Sequence, residues 1–169
     1  MKQNIKSVLS IFGCLLVASV LSFMSIPITM LLKGAFFGMI INGIVPSLLL
    51  SMLIYSKMWE LGWKIPSRRK LYNEKHSDYK ALGICAAAFV PSLILLLAWK
   101  LTDNFILQLI FRIANFYCIG FFDYAPNYFK LIALLVMLAE IAVGQVAYTL
   151  GTKRISLYTK AVYKKDKKK

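Results

Sequence analysis

Four long uncharged runs alternate with lysine- and arginine-rich segments along this chain. They cover 7–32, 34–56, 81–99 and 131–151, the last interrupted by a single acid. A hydrocarbon core about 30 Å thick is crossed by about 20 apolar residues in a helix. In lipid each spanning segment must pair its own backbone groups, which only a helix can do alone. The pattern therefore predicts an all-α integral membrane protein, a four-transmembrane-helix bundle occupying 1–152. The gap between the second and third runs, 57–80, is too short to bury a core of its own.

The stretch 104–122 departs from the pattern. Asn104, Gln108, Arg112 and Asn115 recur at i, i+4, i+8 and i+11, one polar face of a helix, opposite Phe105, Ile106, Leu109, Ile110, Ile113 and Phe116. Arg112 at the bilayer centre would cost about 2.5–3.5 kcal/mol. A fifth crossing would also carry the basic C-terminal segment to the opposite side. The expectation is an additional amphipathic or re-entrant helix on the outer face, with Gln108, Arg112 and Asn115 as its candidate polar face. Asp123 to Asn127, DYAPN, reads as a turn.

Charge sets the orientation. The chain carries 21 basic and seven acidic residues, net +14, in a sequence that is 59% hydrophobic with a mean hydropathy of +0.66. Seventeen of the 21 basic residues lie in the N-terminal arm, in 57–80 and in the tail 153–169. Cytoplasmic flanks collect Lys and Arg, so both termini and the central loop are expected in the cytoplasm of a plasma membrane. Lys2 and Lys6 before an apolar run resemble a secretory leader. The run is 26 residues, longer than a leader's core and without a clear small-x-small exit site, so a retained first span is expected.

Within the spans, small residues mark faces where helices approach closely. The first span carries Ser7, Ser10, Cys14, Ala18, Ser25 and Thr29, with Pro27 near its outer end. The second opens with Gly34-x-x-x-Gly38 and places Asn42 one turn on, with Tyr55, Trp59 and Trp63 at its far end. Glu140 sits near the middle of the fourth span, on the face of Ala133, Val136, Gly144, Ala147 and Gly151. An intramembrane carboxyl is costly when ionised, so it is expected neutral or paired inside the bundle. Asn42 is its candidate partner, whereas Gln145 lies about 140° away around the helix. Two readings of Glu140 stay open: a proton or cation site or subunit lock, and an acid hydrogen-bonded across the bundle. The string VPSL occurs at 45–48 and 90–93. Matching proline-interrupted helices can mark a site built from inverted repeats, and two ordinary proline-bent helices would look the same.

The remaining chemistry is sparse. His76 is the only histidine, and its neighbours Ser77 and Asp78 cannot form a triad by adjacency. Cys14, Cys85 and Cys118 form no C-x-x-C pair, so neither a disulfide framework nor a metal site is expected. No nucleotide-binding, metalloprotease or nucleophile-elbow motif appears. The reading is therefore of a protein that is not an enzyme and needs no cofactor. Arg68, Arg69 and Lys70 in the loop, with Lys164, Lys165, Lys167, Lys168 and Lys169 in the tail, suit anionic lipid headgroups at about 1 kcal/mol per basic residue. They equally serve to set topology, and no folded basic module points to nucleic acid.

Trp59-Glu60-Leu61-Gly62, the VPSL run of the third span, and Gly151-Thr152-Lys153-Arg154-Ile155-Ser156 before a lysine-rich tail resemble a set of multi-pass membrane proteins of Gram-positive bacteria. The resemblance spans the last two thirds of the chain. It implies a bacterial plasma membrane, and the family has no assigned activity from which functional residues could be carried over. The function expected from all of this is a non-enzymatic accessory or scaffolding subunit that binds another membrane protein, or itself, through small-residue faces. The alternative is a small transporter or channel component that uses Glu140 as a proton or cation site.

Overall fold

The apolar runs form four helices long and apolar enough to cross a membrane: Asn4–Thr29, Phe36–Trp63, Lys80–Thr102 and Pro126–Thr152. The computed structural model describes residues 2–32, 34–66 and 79–155, and these contain helices and turns but no strand. The basic centre Arg68, Arg69 and Lys70, His76, and the tail lysines Lys164, Lys165, Lys167, Lys168 and Lys169 lie outside the described residues.

The first helix is broken near its end into α1 (Lys2–Met24) and α2 (Ile26–Leu32). Pro27 has no N–H to give the helix and its ring crowds the carbonyl four residues back, so the chain breaks at Ser25. The second helix is built from α3 (Ala35–Met39), a π-helical turn (Ile40–Ile44) and α4 (Val45–Trp63). The helix runs on to Trp63, past the expected end of the span at 56, because Met58 and Gly62 are buried against the fourth helix. The two VPSL strings sit differently. The first follows the π-turn, while Pro91 lies inside α5 (Lys80–Thr102), which continues through it.

The last helix, α8 (Phe129–Thr152), packs along α4 on one side and α5 on the other, and α1 packs against α4 and α5. At the Trp63 end of α4, α4 and α8 touch backbone to backbone. A Cβ on Gly62 would collide with the carbonyl oxygen of Tyr148, and one on Gly151 with that of Trp59. The Trp59 indole N–H donates to the Ile155 carbonyl (2.9 Å), and Trp59 stacks on Trp63 at 5.0 Å. Trp59 thus fastens the chain just past α8 to α4. The side chain of Gln145 accepts from the backbone N–H of Leu82 (2.9 Å), satisfying one of the unpaired donors at the start of α5.

The opposite end of the bundle is built differently from the single helix expected over 104–122. The chain forms α6 (Phe105–Ala114), a 3-10 turn (Phe116–Cys118) and α7 (Ile119–Tyr124), with a 93° bend. The reason lies in two anchors. Phe111 is buried against Trp99 and Phe129, and Gly120 sits so close to Gly38 that a Cβ would strike its carbonyl oxygen. Nine residues separate them, which places them on opposite faces of a straight helix at about 100° per residue. Breaking the helix at Asn115 lets both face the bundle. The Asn115 amide supports the break by donating to the Phe111 carbonyl (3.1 Å).

Candidate functional site

The expected polar face of 104–122 is divided by this bend. Phe105, Ile106, Leu109, Ile110 and Ile113 point outward, and Phe111 and Asn115 point into the bundle. Gln108 and Arg112 are half-buried. The Arg112 guanidinium lies 3.8 Å from the centroid of the Phe122 ring, a cation–π contact that bridges the two arms of the bend. Gln108, Arg112 and Asn115 therefore do not form one water-facing stripe. The adjoining end of α5 is tied by Asp103, which accepts from Lys130 (2.6 Å), while Lys130 also sits over the Trp99 ring.

Asn42 and Glu140, expected as partners, occupy separate sites. Asn42 lies in the π-helical turn, nine residues and about 14 Å of helix above Ser51. Its Oδ1 accepts from the Ser25 hydroxyl, and its Nδ2 donates to Thr29 Oγ1 (3.0 Å). Its backbone carbonyl accepts from Ser22 (3.2 Å), which also reaches the Phe116 carbonyl (3.1 Å). The break at Ser25 and the π-turn thus meet at the same depth, and π-turns within helices recur at functional sites. They border an outward-facing cleft of about 340 Å³ lined by Thr29, Gly34, Gly38, Asn42, Phe116 and Asp123, among others. Lost hydration pushes the Asp123 carboxyl up from its ordinary pKa, and the positive charge of Arg112 draws it part of the way back.

The Asn42 network is redundant, and this bounds its contribution. Ser25 also donates to the Ser22 carbonyl (2.7 Å) and Thr29 to that of Ile26 (2.8 Å). Asn42→Leu leaves both hydroxyls with an acceptor, so its expected cost is about 1–2 kcal/mol, not that of orphaning several buried groups. Unfolding in detergent micelles measures it; a loss several times larger would show that the amide holds the cleft together.

Glu140 lies 2% exposed in the middle of α8. The face carrying it is buried at Ala133, Met137, Gly144, Ala147 and Gly151, as a small-residue stripe requires, with Val136 half-buried at its margin. Its partner is Ser51 of α4, whose hydroxyl donates to Oε1 (2.8 Å). Cys85 of α5 packs one turn away, against Gly144. The residues missed in the sequence were Ser47, Ser51 and Tyr55, which recur at i, i+4 and i+8 and make a hydroxyl stripe along α4, together with Tyr117 from the 3-10 turn.

This region is under-satisfied. Five buried side-chain polar atoms among the described residues have no protein partner: Ser47 Oγ, Tyr55 Oη, Asn115 Oδ1, Tyr117 Oη and Glu140 Oε2. Each costs about 1–3 kcal/mol if left dry. Five together rival the whole stability of a small domain.

Near the Trp63 end of α4 a second cleft of about 230 Å³ lies between α1 and α4. Lys6, Ser7, Ser10, Lys57, Glu60 and Lys64 contribute to its lining. Among the described residues no group of three or more His, Cys, Asp or Glu is placed to hold a metal ion. No family model, curated protein or solved structure matches the chain.

Proposed function

We propose that this chain is a small, non-enzymatic four-span protein of a plasma membrane, bacterial by its resemblance, with both termini in the cytoplasm. In this reading it serves as a transport component that binds a proton or small cation at Glu140. Membrane residence is supported by the outward faces, where Leu9, Leu16 and Val20 of α1, Ile94 and Leu97 of α5, and Leu135 and Leu138 of α8 stand exposed in place of the charges a water-soluble bundle would carry. The orientation rests on the bias of basic residues to one side.

The observation that carries the function is the Glu140 carboxyl. It is 2% exposed, held through one oxygen by Ser51, with the other oxygen unpartnered. A purely structural acid would spend both oxygens on protein partners. An intramembrane carboxyl with an unused oxygen among unpaired hydroxyls has the makings of an exchange site. The test is proton flux in proteoliposomes of the purified chain, driven by a potassium diffusion potential and read with an internal pH dye. Flux well above protein-free liposomes is the expected result. Flux indistinguishable from them, under both proton and alkali-cation gradients, removes the transport reading.

The accessory or scaffolding reading draws on the second cleft, where Lys6, Lys57 and Lys64 contribute to the lining. That lining suits anionic lipid headgroups or an acidic partner segment. Its other expected means, the small-residue faces, is largely committed inside the chain. Gly62, Gly120, Gly144 and Gly151 are all covered by neighbouring segments of the same molecule.

A further inference from the structure

We infer that Glu140 communicates with the outer face alone, through a hydrated file of polar groups running from the outer cleft past Asn115, Tyr117 and Ser47 to Ser51. This rests on the reading of Glu140 as a proton-exchanging site and adds the side from which the proton comes.

The file follows from where the unpartnered atoms lie. Ser47 is one turn outward of Ser51 on the same stripe of α4. The 3-10 turn carrying Tyr117 packs on α4 and α1, and Tyr117 lies within electrostatic reach of Glu140. Asn115 stands at the corner of the bend, directly before Phe116, which lines the outer cleft. Each of Ser47, Asn115 and Tyr117 presents a buried oxygen without a protein partner. In this reading these groups connect the cleft of about 340 Å³ to the carboxyl. A proton can pass along such groups by exchange between neighbouring oxygens, each accepting one proton as it gives up another.

Inward of Glu140 the seam between α4 and α8 tightens. Tyr55, whose hydroxyl also lacks a protein partner, extends the stripe by one turn. Beyond it Met58 is buried while bordering the second cleft, Gly62 and Gly151 bring the two backbones into contact, and Trp59 donates to the carbonyl of Ile155, just past α8. The groups that face Glu140 are Ser51 from α4, Cys85 from α5 and Tyr117 from the turn, with Asp123 of α7 standing at the cleft.

Dicyclohexylcarbodiimide tests this, because it reacts with a protonated carboxyl in an apolar setting. The acid's proton passes to a carbodiimide nitrogen while the carboxylate oxygen bonds to the central carbon. Labelling of Glu140 is followed by mass spectrometry in right-side-out membrane vesicles, with the pH of each side varied independently and Glu140→Gln as the unlabelled control. The expected rate falls about tenfold per pH unit once the outer solution is above the carboxyl's titration point, and ignores the inner pH. Tyr117→Phe, which removes only the hydroxyl oxygen, should weaken that dependence. Labelling that follows the inner pH, or neither side, overturns the route. Outer control without flux in proteoliposomes would leave the route standing and remove the transport reading; flux with inner control would do the reverse.

Discussion

Gly62→Val and Gly151→Val are each expected to pry apart α4 and α8, lowering stability by about 3 kcal/mol. A Cβ at Gly62 would strike the Tyr148 carbonyl oxygen and lie 3.0 Å from the Thr152 nitrogen. A Cβ at Gly151 would strike the Trp59 carbonyl oxygen and lie 3.0 Å from the Trp63 nitrogen. These obstacles are backbone atoms within two helices, so no rotamer change relieves them. The helices must move apart, and the burial of Met58 and Ala147 and the Trp59 bond to Ile155 would go with the seam. Gly120→Val meets the same fate at the opposite end of the bundle, against the backbone of Gly38 and Gly43. Gly83 and Gly13 are the controls. A Cβ at either meets nothing within 4 Å, and Gly→Ala in an open helical position gains about 0.5–1 kcal/mol. Denaturant unfolding in micelles, followed by the helical circular dichroism signal, ranks the set. A Gly151→Val protein as stable as Gly83→Ala would show that the seam is not the closed contact described.

The same glycines show where the sequence was readable and where it was not. The long helices were legible because span length and apolar content follow from the thickness of a bilayer. Gly34-x-x-x-Gly38 looked like the close-packing face of the second helix, yet a Cβ at Gly38 has open space and one at Gly34 meets only the nearby Phe37 ring, at 3.5 Å. What packs closely is the carbonyl of Gly38, and the glycine this demands is Gly120, more than 80 residues away. A helical motif can reveal which side chains are small but not which backbone atom a distant segment will press against. The bend at Asn115 was hidden for a related reason, since a polar stripe at helical spacing is indifferent to a corner at its end.

Glu140 was legible as an inward-facing acid, because the small residues around it define the buried side of α8. Its partner was not. Asn42 looked mid-span when the second helix was measured from Gly34 to Ser56. The helix in fact continues to Trp63, and that shift places Asn42 toward the start of the second helix and Ser51 at the depth of the carboxyl. The signal that would have found Ser51 was the hydroxyl spacing of Ser47, Ser51 and Tyr55, which marks a polar stripe without saying which acid it meets.

Glu140→Gln is expected to abolish proton flux, at least about tenfold and down to the protein-free background, while changing stability by less than about 1 kcal/mol. The carboxamide has the shape of the carboxylic acid, and its oxygen can still accept the Ser51 hydroxyl that now lies 2.8 Å from Oε1. It cannot give up and regain a proton, so a carrier that depends on that exchange stops with its fold intact. Glu140→Ala is the less informative variant. It deletes a buried side chain and orphans the Ser51 hydroxyl, a loss of about 2–5 kcal/mol from cavity and desolvation together, and any fall in flux would then be confounded with unfolding. Glu140→Asp divides the two roles. Shortening the arm by one methylene draws the carboxyl back from Ser51 but keeps a titratable group at the same depth, so reduced but measurable flux is expected. Wild-type flux in Glu140→Gln, with normal assembly, would move the transport activity away from this carboxyl altogether. A Gln variant that is folded and silent, beside an Asp variant that is folded and slow, is the pair of results that a titrating group produces and a structural hydrogen bond does not.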